Sequence, residues 1–304
     1  MSFLNRRALL ITGKGGVGRT SVATALGMGC ARSGRRTLVL EVAYDDISES
    51  ALGARFGFRD LNEAEKLVSP NLWIGRLNAS AGHALFLRTI LPSKTLINAA
   101  LRSRAVSKFL MAAPSLHEMG VFYHLLTLLK RKRADGEDAY ESIIIDMPAT
   151  GHTLALTGLP TILGRLIPKG PIAKAMEEGQ AILNNPALCA AWIVTLPEKL
   201  PVTEALELKQ GLEDTQVPVG GIILNRMPTY DLDDVELRML KDHLDAQETF
   251  GALSVSRAQA AHDVVDSIKV SAALPLMVFP ELPGDDHVVA AMAAHATRLI
   301  EGTA

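Results

Sequence analysis

An apolar run, Ala8 to Ile11, leads directly into Gly13-Lys14-Gly15-Gly16-Val17-Gly18-Arg19-Thr20, and small residues follow from Ser21 to Ala31. The run over residues 8–12 shows no alternation, which predicts a strand buried on both faces. Ser21 to Ser33 reads as a helix ended by Gly34. A strand, a glycine-rich turn and a helix N-terminus in succession form a phosphate cradle. Glycines let backbone N–H groups turn inward towards anionic oxygens. The first helical turn adds unpaired N–H groups and the positive end of the helix dipole. Gly13, Lys14, Gly15, Gly16, Val17, Gly18, Arg19, Thr20 and Ser21 are therefore the candidate phosphate-binding residues, with the Thr20 hydroxyl available to a magnesium ion.

One position departs from the usual pattern: Arg19 stands where a lysine ordinarily follows the last glycine. Arginine keeps the charge, but its planar fork cannot sit as a compact ammonium does. Binding is expected to survive while transition-state geometry suffers. A misplacement costing roughly 3 kcal/mol slows turnover by about two orders of magnitude. The expectation is a site that binds ATP and hydrolyses it slowly.

The remaining chain alternates between strand and helix patterns. Thr37 to Val42 is a second apolar strand, running into a polar loop, Ala43 to Glu49, at the edge where parallel sheets bind ligands. Asp45 and Asp46 in this loop fit caps of a helix starting near Ile47. Asn71 to Leu77 reads as a short strand. From Ala79 to Leu129 the pattern is helical, with Leu116, Met119, Tyr123, Leu126 and Leu129 on one face. Glu141 to Asp146 is a third strong strand, and its terminal carboxylate suits a magnesium-water ligand. Leu159 to Leu183 reads as a second helical excursion, broken by Pro160, Pro168 and Pro171. Strands are predicted at 190–195, 219–225 and 274–279, and helices at 202–212, 231–243, 256–270 and 286–300. The pattern gives an α/β fold: a doubly wound, mostly parallel sheet in one domain over 1–304, with a helical subdomain inserted at about 79–134 and 155–187.

A length of 304 residues suits one large α/β domain, and a net charge of −2 argues against nucleic acid as the main partner. Cys30 and Cys189 form no metal spacing, and two isolated thiols suit a reducing compartment. No signal peptide or membrane span is expected, so the reading is cytoplasmic.

Lys14 followed by Gly-Gly-Val-Gly resembles the deviant phosphate loop of the MinD, ParA, nitrogenase-iron-protein and ArsA ATPases. Asp146-Met147-Pro148-Ala149-Thr150-Gly151-His152-Thr153-Leu154 is similar to the switch segment of the ArsA family, which includes ATPases that target tail-anchored membrane proteins. Ala113 to Glu118 resembles that family's Pro-Gly-x-x-Glu element, with serine for glycine. Asn225, at the end of Gly221 to Leu224, matches its adenine-contacting asparagine; as a residue alone, Asn225 also fits a strand-end turn. Leu274 to Glu281, with Pro280 and Glu281, resembles its adenine-side loop. The family's switch aspartate falls nearest to Val42 or Ala43, where this chain has none, and Asp45 or Asp46 would have to substitute.

The resemblance implies a magnesium- and ATP-dependent dimeric switch. Lys14 would reach across to the partner's nucleotide, with Arg19, Asp45, Asp46 and Asp146 completing the catalytic group. The dimer would be a homodimer or a heterodimer with a paralogous ATPase, and closure would be coupled to a hydrophobic client or membrane-protein partner. Two other outputs are kept: a weak or inactive subunit paired with an active paralogue, and an anion-transport motor. The motor reading is disfavoured because the family's metalloid sites use clustered cysteines.

Overall fold

The computed structural model describes residues 6–43, 49–61, 64–91, 93, 95–97, 102–103, 114–166, 169–229, 234–245, 251–272, 274–282 and 288–301. Eight strands form one sheet: β1 (Ala8–Gly13), β2 (Thr37–Val42), β3 (Lys66–Ser69), β4 (Leu72–Leu77), β5 (Ser142–Asp146), β6 (Cys189–Thr195), β7 (Val219–Met227) and β8 (Leu276–Pro280). Their order across the sheet is β3-β4-β2-β5-β1-β6-β7-β8. Every neighbouring pair is parallel except β3 and β4, which form an antiparallel edge. β1 is central, between β5 and β6. The chain leaves β1 for β2 on one side and later reaches β6 on the other, so a crevice opens beyond the C-terminal end of β1.

The described helices are α1 (Arg19–Arg32), α2 (Ala51–Ala54), α3 (Ala79–Ile90), α4 (Pro114–Leu129), α5 (Thr150–Leu166), α6 (Pro171–Leu183), α7 (Lys199–Asp214), α8 (Asp234–Asp245), α9 (Ala252–Ala272) and α10 (Val288–Glu301). Alternate residues of the central strands feed two cores. Leu10, Leu40, Ile143 and Ile145 point towards Met119, Phe122, Leu156 and Leu208 of α4, α5 and α7. Leu9, Ile11, Val39 and Ile144 point towards Val22 and Leu26 of α1 and Met292 of α10. A strand covered on both faces needs apolar residues at every position, which is why β1 and β5 read as unbroken runs.

Two sequence expectations are corrected. β3 was not anticipated: it is a half-exposed edge strand whose Leu67 is 60% exposed, so it carries no core-facing run. A turn at Asn71, in the left-handed region at φ 61°, folds it back on β4. Pro160 does not break its helix but lies inside α5, which starts at Thr150. Burial of Leu156, Leu159 and Pro160 offsets the hydrogen bond that proline removes. Pro171, by contrast, opens α6 at its first turn, where its missing N–H costs nothing.

The helical layer hinges on a close crossing of α3 and α4. A Cβ built on Gly82 would lie 1.7 Å from the Gly120 carbonyl oxygen, and one on Gly120 would lie 2.5 Å from that of Ala79. Gly82→Ala is therefore expected to force the helices apart and destabilise the fold by about 1–3 kcal/mol. A denaturant titration checks this; an unchanged midpoint would contradict the crossing.

Candidate functional site

The loop between β1 and α1 is built by backbone geometry. Gly16 and Gly18 both occupy the left-handed region, at φ 82° and 88°. At Gly18 a second constraint applies: a Cβ would sit 2.4 Å from Asn225 Nδ2. That amide donates to the Val17 carbonyl at 2.9 Å. Asn225, buried near the C-terminal end of β7, therefore braces the loop directly. α1 begins with no side-chain cap and no acidic residue in its first turn. Its leading N–H groups are thus offered to an anion, in line with the dipole.

Around the start of α1, the Thr20 hydroxyl donates to Asp146 Oδ2 at 2.6 Å. Arg19 Nη1 donates to the Met147 carbonyl, so the guanidinium is turned towards the segment that follows β5. Asp146 is buried, and desolvation pushes its pKa up to about 6, outweighing the Thr20 hydrogen bond and the charge of Arg19. Glu41 adds to the upward shift. The same segment is tied to β1: Thr153 Oγ1 lies 3.0 Å from Thr12 Oγ1 and donates to the Pro148 carbonyl at 2.8 Å. Loop, Asp146 and switch segment therefore form one connected unit. Oxygen donors from a threonine and a buried carboxylate fit a hard divalent cation such as magnesium.

Other predicted residues fall around this unit. Ser21 Oγ accepts from Arg55 Nη2 at 3.0 Å. Gly18, Ser21, Asn225, Pro280 and Glu281 line one cavity of about 330 Å³, next to the loop and large enough to receive part of a nucleotide. Glu281 is held by Arg257 at 3.1 Å. Lys14 Nζ pairs with Glu204 Oε1 of α7 at 3.2 Å. His117 and Glu118 share a small cavity with Val42, Ala43 and His152, which brings the start of α4 to the switch segment. Asp45 and Asp46 lie outside the described residues.

Glu41, Arg55 and Glu204 were missed in the sequence. Glu41 did carry a signal, as a lone charge in the run Thr37 to Val42. Arg55 and Glu204 carried none, because charges at a helix end or on a helix surface are ordinary. Cys30 and Cys189 are buried, and burial pushes both thiols up to about 12, so neither is a ready thiolate. Among the described residues no cluster of three or more metal-ligating side chains occurs, and no helix is long and apolar enough to cross a membrane.

The chain is similar to proteins named as ATPases. A family model described as anion-transporting ATPase matches residues 6–175, more than half of the chain and all of the unit from the loop to the switch segment. The ATPase BagA of Mycobacterium tuberculosis is 27% identical over 303 residues, covering 96% of this chain and 81% of its own. The ATPase GET3 of Kluyveromyces lactis is 24% identical over 266 residues, 75% of this chain and 74% of its own. The arsenical pump-driving ATPase of Escherichia coli is 27% identical over 237 residues, 76% of this chain and 36% of its own.

Proposed function

Because the chain belongs to the anion-transporting ATPase family, and is an ATPase, we propose that it is a slow, dimeric switch that binds magnesium-ATP at Gly13 to Thr20 and couples closure to a hydrophobic client. The observation that carries this reading is the glycine loop running into the uncapped start of α1, with Thr20 hydrogen-bonded to Asp146. Backbone N–H groups of the loop and of α1 hold the phosphates, and Arg19 contributes charge beside them. Thr20 and Asp146 hold the magnesium side, where the cation, when bound, neutralises phosphate charge. Asn225 keeps the loop in shape, and the cavity it shares with Pro280 and Glu281 receives the base. Loss of the γ-phosphate is felt through Thr12, Thr153 and Pro148, which link β1 to the switch segment. The helical subdomain, at about 79–134 and 155–187, carries the client surface.

Lys14 is the residue that senses the second protomer. In the single chain it is held by Glu204, and closure requires it to leave. Both partners are partly exposed, so the pair is worth at most about 1 kcal/mol. Glu204→Gln is expected to strengthen self-association with a non-hydrolysable magnesium-ATP analogue, by about twofold to fivefold. Lys14→Ala is expected to abolish that association. Sedimentation equilibrium measures both, and association indifferent to Lys14 would exclude the crossing role.

A second reading, an ATPase-deficient subunit paired with an active paralogue, is favoured by Arg19 and by the lack of an aspartate at Val42 or Ala43. Steady-state turnover of the protein alone and mixed with a paralogue separates the two. Slow turnover alone supports the switch; turnover only in the mixture supports the subunit. Client binding is tested by whether the ATP-loaded protein keeps a membrane-segment peptide from aggregating.

A further inference from the structure

Glu41 is the one charged residue of β2, and its side chain is only 14% exposed. β2 and β5 are parallel neighbours, with Glu41 in register with Asp146. Residues in register on adjacent strands project to the same face, here the face of α1 and Thr20. Two carboxylates thus stand side by side at the ligand edge.

Glu41 is a largely covered charge with a partner at each oxygen, and what those partners do not explain is its place beside another carboxylate. The Ser50 hydroxyl donates to one oxygen, and the Ala51 N–H donates to the other at 3.0 Å. Arg76 approaches through Nε at 4.0 Å, the outer limit of an ion pair. Taken alone, the two hydrogen bonds would make Glu41 an anchor for α2, whose capping residue is Ser50. An anchor would not need to stand next to Asp146, since a second negative charge there costs energy until a cation arrives. A divalent cation beside Thr20 removes that cost, and both carboxylates then favour it.

We infer that Glu41 is a second carboxylate of the cation side of the nucleotide site, acting beside Asp146 while it holds the start of α2. The inference rests on the reading of Gly13 to Thr20 as a magnesium-nucleotide site, and it adds a residue that the phosphate-loop pattern does not contain. Glu41 is a positioning residue: it sets how strongly magnesium tightens nucleotide binding, through charge and through the cation's hydration shell.

The test is equilibrium binding of a fluorescent ATP analogue with and without magnesium, for the intact chain and two variants. Glu41→Gln keeps the shape and loses the charge; its one carbonyl oxygen can accept from Ala51, while its amide NH2 faces Ser50 and can donate to that hydroxyl. It is expected to reduce the magnesium-induced gain in affinity, the ratio of the constants with and without the cation, by about fivefold or more. Ser50→Ala removes the cap and leaves the carboxylate, so it should keep the wild-type gain. Manganese, read by its paramagnetic resonance on the nucleotide complex, gives an independent signal of the same loss. The inference is overturned if Glu41→Gln retains the full gain, or if Ser50→Ala loses as much as Glu41→Gln, which would make Glu41 only an anchor. Wild-type protein with no affinity for the analogue would overturn the nucleotide-site reading as well, so the two failures are distinguishable.

Discussion

Asp146→Asn should make the nucleotide-free protein more stable at pH 7 and at the same time remove its stabilisation by magnesium-ATP. The Asp146 carboxyl titrates near 6 in the fold, raised from 3.8 chiefly by burial. Between those values the folded chain holds a proton that the unfolded chain has released, so stability falls as pH rises from about 4 to about 6. The full loss, about 3 kcal/mol, is in place above that window. Asparagine stays neutral, and its oxygen can still accept from Thr20. The variant should therefore melt several degrees above wild type at pH 7 without ligand and show little difference well below pH 3.8, where Asp146 is protonated in both states. Adding magnesium-ATP should raise the wild-type melting temperature and leave that of the variant nearly unchanged. A constant difference across pH would show that Asp146 is not held in an unfavourable charged state. Equal stabilisation by magnesium-ATP would remove it from the cation site.

Arg19→Lys should raise turnover at saturating magnesium-ATP by roughly tenfold to a hundredfold. Arg19 donates to the Met147 carbonyl, which commits one arm of its fork to the switch segment. A guanidinium shared in this way is poorly placed to follow charge as it develops on the transferring phosphoryl group. A lysine ammonium, compact and free to rotate, can follow it. Because the charge is conserved, the Kd for nucleotide should change by no more than a few fold, so the effect should appear in kcat. Single-turnover hydrolysis separates chemistry from product release. An unchanged rate of the chemical step would show that the substitution at this position is not what limits hydrolysis.

The parts of the site legible in the sequence were those whose chemistry is local. Gly13 to Thr20 is a contiguous run, and Asp146 ends an unmistakable apolar strand, so both could be placed before any fold was known. Buried strands with no alternation gave β1, β2, β5, β6 and β7 for the same reason. The pairing of Glu41 with Asp146 was not legible, because it depends on β5 lying between β2 and β1, an order that no local signal carries. The cis contact of Lys14 with Glu204 spans 190 positions and joins two surface side chains, which leave no periodic trace. β3 escaped notice because an edge strand that packs on one side needs little apolar surface. Pro160 misled in the opposite sense: a strong local breaker was overruled by the packing of its neighbours.

The most direct measurement is calorimetric titration of the purified chain with ATP in the presence and absence of magnesium. Saturable binding that tightens when magnesium is added is the expected result. No detectable heat or affinity for magnesium-bound adenine or guanine nucleotides, alone or mixed with a paralogue, would mean that the loop of Gly13 to Thr20 is not a triphosphate site and that the fold serves another end.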